Sequence, residues 1–153
     1  YYVGELNGKS SKQAYMDALH ISESNIINQT FHNPIGKMNG QDICIISLKE
    51  VSGNGLCCYR QVNDSDVLVL LEEQDYNEIL DETLQRIRRD FNHISGVFSI
   101  NCVFRYLLFS QEHHMEDYLK TMSTLGDHAG LIGFGEHYNQ QFVNQTMTCV
   151  VFE

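Results

Sequence analysis

Gly96-Val97-Phe98-Ser99-Ile100 is a short apolar run between two helical patterns, and its assignment decides the fold. Upstream, Tyr76, Ile79, Leu80, Leu84, Ile87 and Phe91 recur at helical spacing within residues 75–91, with Glu78, Glu82, Arg86 and Arg89 on the other side. Downstream, Met115, Tyr118, Leu119, Met122 and Leu125 repeat the pattern within residues 111–125. Neither helix can hold an apolar face out of water alone, so each must cover a sheet. The run between them therefore reads as a buried strand, followed by Asn101-Cys102-Val103-Phe104-Arg105.

The same pattern extends outward. Tyr1 to Leu6 reads as a strand, Asn7-Gly8 as a turn, and Ser10 or Ser11 as the cap of a helix running to about His20, with Tyr15, Ala18 and Leu19 as its apolar face. A weaker helical piece is expected around Ser22 to Gln29, then a loop from His32 to Gly40 holding the only proline. Asp42 to Val51, Leu56 to Val62 and Asp66 to Leu71 form successive strands, with turns at Gly53-Asn54-Gly55 and Asn63-Asp64, which predicts a meander. At the end of the chain, Leu131 to Glu136 and Asn144 to Phe152 read as two strands joined by a hairpin loop. The expected class is α+β, a mainly antiparallel sheet of about five to seven strands with packed helices. A single domain over residues 1–153 is expected; the start at Tyr1-Tyr2-Val3, without methionine, suggests excision from a longer protein.

Composition excludes several functions. Lys and Arg total 10 against 20 Asp and Glu, for a net charge of −10, which disfavours nucleic acid or an anionic membrane as the main partner. The one basic concentration, Arg86, Arg88 and Arg89, lies among acids. No apolar run approaches a bilayer crossing or a signal peptide. The five cysteines form no CxxC pair and no metal-ligand spacing, which fits a reduced, cytoplasmic chain. Three Asn-x-Ser/Thr sequons, at Asn28, Asn63 and Asn144, carry little weight in an Asn-rich sequence.

The chemistry-bearing residues gather in the second half. Two glycines bracket Phe134, which implies close approach by another backbone or a ligand, since glycine otherwise weakens a strand. Glu136 follows where strand meets loop. Arg105, after the buried strand, offers a planar fork to a carboxylate; the plainer expectation is an ion pair with Glu136 or another acid. Together the two would grip an amino-acid-like ligand at both ends. Cys102, just before a helix, is the nucleophile an enzyme would use, but no histidine has a recognisable partner pattern, and a free cysteine is usually a small buried hydrophobe. His113 and Asp117 stand at i,i+4 beside Glu112 and Glu116, but that side of the expected helix should face water, so no metal is assigned. Asn144 and Thr146 read as strand-entry groups satisfying loop backbone, with Gln145 projecting oppositely by the two-residue strand period.

Four motifs stand in order: Val3-Gly4-Glu5-Leu6-Asn7-Gly8-Lys9-Ser10-Ser11, Cys102-x-x-Arg105, Gly133-Phe134-Gly135-Glu136 and Asn144-Gln145-Thr146. Together they resemble the C-terminal domain of FIST proteins over nearly the whole chain. The resemblance implies a non-catalytic intracellular sensory module, without cofactor, that binds a small ligand such as an amino acid. It also implies an upstream FIST N-terminal domain and a signalling output domain as partners. Cys102, Arg105, Glu136, Asn144 and Thr146 are the ligand-binding candidates it marks. The chain departs from the family where Phe104 replaces a glycine and Val143 a histidine, which implies a tighter or altered pocket. A cysteine-dependent enzyme and a protein-interaction scaffold are the rival functions.

Overall fold

The computed structural model describes residues 1–138 and 141–153. The chain falls into two compact units, residues 1–73 and 74–153.

The first unit runs β1 (Tyr2–Val3), β2 (Glu5–Leu6), β3 (Lys9–Ser10), α1 (Ser11–Leu19), a 3-10 turn (Glu23–Asn25) leading into α2 (Ile26–Gln29), then β4 (Ile35–Asn39), β5 (Asp42–Ile46), β6 (Leu48–Ser52), β7 (Gly55–Cys58) and β8 (Leu68–Leu70). Asn7 and Gly8 have φ of 52° and 77°, the left-handed pair that a two-residue hairpin needs to join β2 and β3. Ser10 caps α1 by accepting the Gln13 amide at 3.3 Å, and His20 ends it in a left-handed conformation. Ile26, Ile46, Leu48 and Leu56 are the fully buried centre of the core, joined by Val3, Tyr15, Ile35 and Cys58. Each such side chain contributes about 1.5–3 kcal/mol by leaving water.

The strands here form two antiparallel three-stranded sheets, β1-β7-β6 and β5-β4-β8, rather than the expected meander. The run from Asp42 to Val51 breaks at buried Ser47, and the hydroxyl of buried Thr30 accepts the Leu48 amide at 2.9 Å. That bond anchors the chain at the start of β6, so β5 and β6 serve different sheets. β8 then returns to β4 instead of pairing with β7.

The second unit comprises α3 (Tyr76–Asp90), β9 (Gly96–Cys102), α4 (Val103–Gln111), α5 (Met115–Ser123), β10 (Asp127–Gly133), β11 (Glu136–Tyr138), β12 (Gln141–Val143) and β13 (Met147–Phe152). Asp75 caps α3, its carboxylate accepting the Asn77 and Glu78 amides at 2.8 and 3.2 Å, while Arg88 and Arg89 in the last turn oppose the negative end of the helix dipole. β9, grown from the opening apolar run, is the centre of a three-stranded sheet, with β10 parallel on one side and β13 antiparallel on the other.

Two expectations are corrected in this unit. The terminal strands are not a hairpin: β10 and β13 flank β9, and the hairpin between them is a separate pair, β11 and β12. The parallel β9-β10 pair needs a long crossover, which α4 and α5 provide. The helix expected over 111–125 starts later, as α5 at Met115, and a separate helix precedes it. α4 starts at Val103, directly after the strand, and the chain breaks at Glu112 to His114, where His113 takes φ 58°. His113 and Asp117 therefore do not share a helical face. Among the described residues five α-helices and thirteen short strands form several small, mostly antiparallel sheets, so the class is α+β as expected. No described helix is long and apolar enough to cross a membrane.

Candidate functional site

Side chains alternate across β9, and Val97, Ser99 and Asn101 are buried on one face. The polar two bond to other side chains. Arg105, one turn into α4, donates from its guanidinium to Asn101 Oδ1 at 3.3 Å. Because arginine can only donate, Oδ1 must face it, which turns Asn101 Nδ2 toward the Tyr118 hydroxyl at 2.8 Å. Tyr118 on α5 then donates to Ser99 Oγ at 3.3 Å, and Ser99 Oγ lies 2.8 Å from His128 Nε2 on β10. The donors from Arg105 through Asn101 and Tyr118 follow one direction to Ser99, whose hydroxyl is free to donate onward to Nε2. Neutral His128 fits this order, and burial lowers its pKa.

The guanidinium of Arg105 also lies 4.4 Å from the ring centroid of Phe109 and 5.2 Å from that of Tyr118. This is cation–π geometry. The expected ion pair is not formed: among the described residues no carboxylate lies within ion-pair distance of Arg105. Burial lowers its pKa, opposed only by Tyr118.

Glu136, at the start of β11, is 3% exposed. Thr146 Oγ1 donates to its Oε2 at 2.8 Å, while Oε1 has no hydrogen-bond partner among the described residues. Desolvation raises the Glu136 pKa, and the bond from Thr146 and the backbone amide of Glu136 itself partly offset that rise. Gly133 borders the free oxygen: a Cβ built there would stand 3.7 Å from Oε1. The close approach implied by the paired glycines occurs at Gly135, where φ is 134° and the Phe142 ring occupies the space a Cβ would need.

Backbone pairing gathers most of the sequence-derived candidates at one end of the sheet. Cys102 closes β9, lies opposite Gly133 on β10, and donates its amide to Thr146 O at 3.0 Å. Thr146 in turn holds Glu136. Cys102, Glu136 and Thr146 are thus linked in one cluster, and Arg105 follows Cys102 by a single helical turn. Asn144 is half-buried in the segment between β12 and β13. Gln145 corrects one expectation: residues 144–146 precede the strand and Gln145 has φ 56°, so strand alternation does not govern which way it points.

Cys102 is the N-cap residue of α4, makes no side-chain capping bond and is 1% exposed. Among the described residues no histidine hydrogen-bonds to it, so a cysteine nucleophile has neither access nor a base. The nearest nucleophile-like geometry, Ser99 with His128, is also buried at Ser99, which is 1% exposed. Sequence reasoning missed this relay. Its signal lies in Ser99 and Asn101, two polar residues on the same face of an otherwise apolar strand, but local pattern gives Tyr118 only an apolar helix position and His128 no partner.

A comparison with curated proteins gives no match, and neither does one with solved structures. A family model, the FIST C domain, matches residues 12–139, a stretch that includes most of both units. The chain belongs to the FIST C domain family, a family of sensory domains of signal transduction proteins.

Proposed function

We propose that this chain senses a small ligand carrying both a cationic and an anionic group, an amino acid being the simplest, and that Glu136 receives the cation. The observation that carries this is the free Oε1 of Glu136, a buried carboxylate oxygen without a partner among the described residues. Leaving such a group unmatched costs about 1–3 kcal/mol or more, and a ligand ammonium would recover that cost. Arg105, a partly desolvated cation without a carboxylate, supplies the complementary charge for the ligand's anionic end. Cys102, Asn144 and Thr146 frame the same end of the sheet.

FIST C domains are generally non-catalytic and associate with a FIST N domain in sensory proteins. On this reading, the whole of residues 1–153 acts as one module in the cytoplasm, and ligand occupancy biases a conformational equilibrium that an attached output domain reads. Such a bias requires that the ligand bind one conformation better than the other.

A thermal-shift series with the amino acids tests the proposal. A ligand at a hundredfold its Kd adds about 2.7 kcal/mol of stability. Glu136→Gln and Arg105→Met should each abolish the shift while leaving the fold intact by circular dichroism. Failure of all twenty amino acids, with this chain and with one joined to a FIST N domain, would sink the amino-acid reading.

A further inference from the structure

In the first unit β8 ends its sheet: it pairs with β4 on one side and, among the described residues, with no strand on the other. The hydrogen bonds from the Met38 amide to Val67 O and from the Leu71 amide to Pro34 O, both 2.9 Å, fix which backbone groups face β4. With Lys37 opposite Leu68 and Ile35 opposite Leu70, these are the non-bonded pairs of the ladder. The N–H and C=O of Leu68 and Leu70 therefore point away from β4.

Leu68 and Leu70 also line a cleft of about 700 Å³, within the range of roughly 300–1,000 Å³ that suits bound ligands. Val67, Leu68, Val69 and Leu70 all line it, consecutive residues that an edge presents and a sheet face would not. Leu6, Ala14, Tyr15, Ala18 and Ile35 supply the rest of its apolar lining. Its charged lining is Glu5, Asp17, Asp64 and Asp66 against the single Lys9. Lys37 pairs with Asp66 at 2.6 Å and Lys9 approaches Asp17 at 3.9 Å, while Glu5 and Asp64 have no cation within ion-pair distance among the described residues.

Proteins blunt exposed edge strands with lysine, proline, a bulge or a covering segment. Leu68-Val69-Leu70 has no such device within it, and its nearest charged flanks, Asp66 and Glu72, are acidic. We propose that this cleft is a peptide-binding site in which an extended segment alternating apolar and basic residues adds as a strand to the free edge of β8. The backbone of Leu68 and Leu70 gives the hydrogen bonds, the apolar lining takes alternate side chains, and the acids select lysine or arginine. Pairing with a second copy of the chain through β8 is disfavoured, because it would set Asp66 and Glu72 of one copy against the same acids of the other. The site lies in the first unit and does not depend on the sensory reading of Glu136.

The test titrates the whole chain with acetyl-Lys-Val-Lys-Val-Lys-amide and follows backbone amides by NMR and hydrogen exchange. The Leu68 and Leu70 amides should shift and gain protection, with affinity falling as salt rises. Leu70→Pro removes an outward N–H without touching the β4 ladder and should weaken binding about tenfold, the loss of roughly one hydrogen bond. Methylating alternate peptide nitrogens should do the same and needs no change to the protein. The proposal is overturned if no binding occurs at millimolar peptide, or if the glutamate analogue or the methylated peptide binds equally well. It also fails if spermidine gives the same amide shifts, or if those amides respond to protein concentration alone.

Discussion

The two units bury polar side chains in different ways. In the first, buried hydroxyls join backbone to backbone: Ser11 Oγ donates to Val3 O at 2.5 Å and accepts the Leu56 amide at 3.1 Å, and Thr30 holds Leu48. In the second, Ser99, Asn101, Tyr118, Arg105 and His128 bond mainly to one another, and Glu136 keeps one oxygen free. Hydroxyls bonded to backbone fix strand positions. The side-chain series from Arg105 to His128 instead ties α4, β9, α5 and β10 together.

The largest test of this contrast removes apolar support from the first unit. Leu56→Ala, at a fully buried site, should cost about 2–5 kcal/mol in urea unfolding, because the packed core only partly closes over the void. A loss below about 1 kcal/mol would mean that this core is loosely packed. Next comes Ser11→Ala, which strands the Val3 carbonyl and the Leu56 amide; about 1–3 kcal/mol should be lost, and a neutral result would remove the structural role assigned to that hydroxyl.

Smaller effects are expected from the titratable groups Glu136 and His128 in the second unit, and they are distinguished by pH. Burial raises the Glu136 pKa above its ordinary 4.5, so its stabilising contribution is full below that pH and is lost as pH rises through the raised value. Glu136→Gln should therefore gain stability over the parent at neutral pH and lose that advantage in acid. His128 has the opposite sign. Its pKa is lowered from 6.5, so its contribution is present above 6.5 and is lost as pH falls through the lowered value; His128→Gln should flatten that acid limb. Urea midpoints across this range check both, and parallel profiles for parent and variants would show that neither group titrates in a changed environment.

Much of the fold follows from local pattern. The apolar spacing of Tyr76 to Phe91 makes α3, Asp75 caps it, and Asn7-Gly8 makes its hairpin, because each depends on neighbours within a few residues. The candidates Cys102, Glu136 and Thr146 were also legible, through ordered motifs, and they meet at one end of the β9 sheet. A helix start after Cys102 was legible, but the extent of α4 to Gln111 and the break before α5 were not, since an apolar segment after a strand continues either as strand or as helix. The left-handed residues His113 and Gln145 gave no warning either, because neither residue type marks that conformation as glycine does.

Sequence by itself determined the α+β class, the amphipathic helices, the turn chemistry and the family. Tertiary structure alone decided that β10 and β13 lie on opposite sides of β9, and that β8 returns to β4. It also decided that Arg105 stacks on Phe109 and Tyr118 instead of pairing with Glu136. The physical reason is range: periodicity and capping act over one or two turns of chain, whereas strand partners and buried charges are chosen by competition among groups many residues apart.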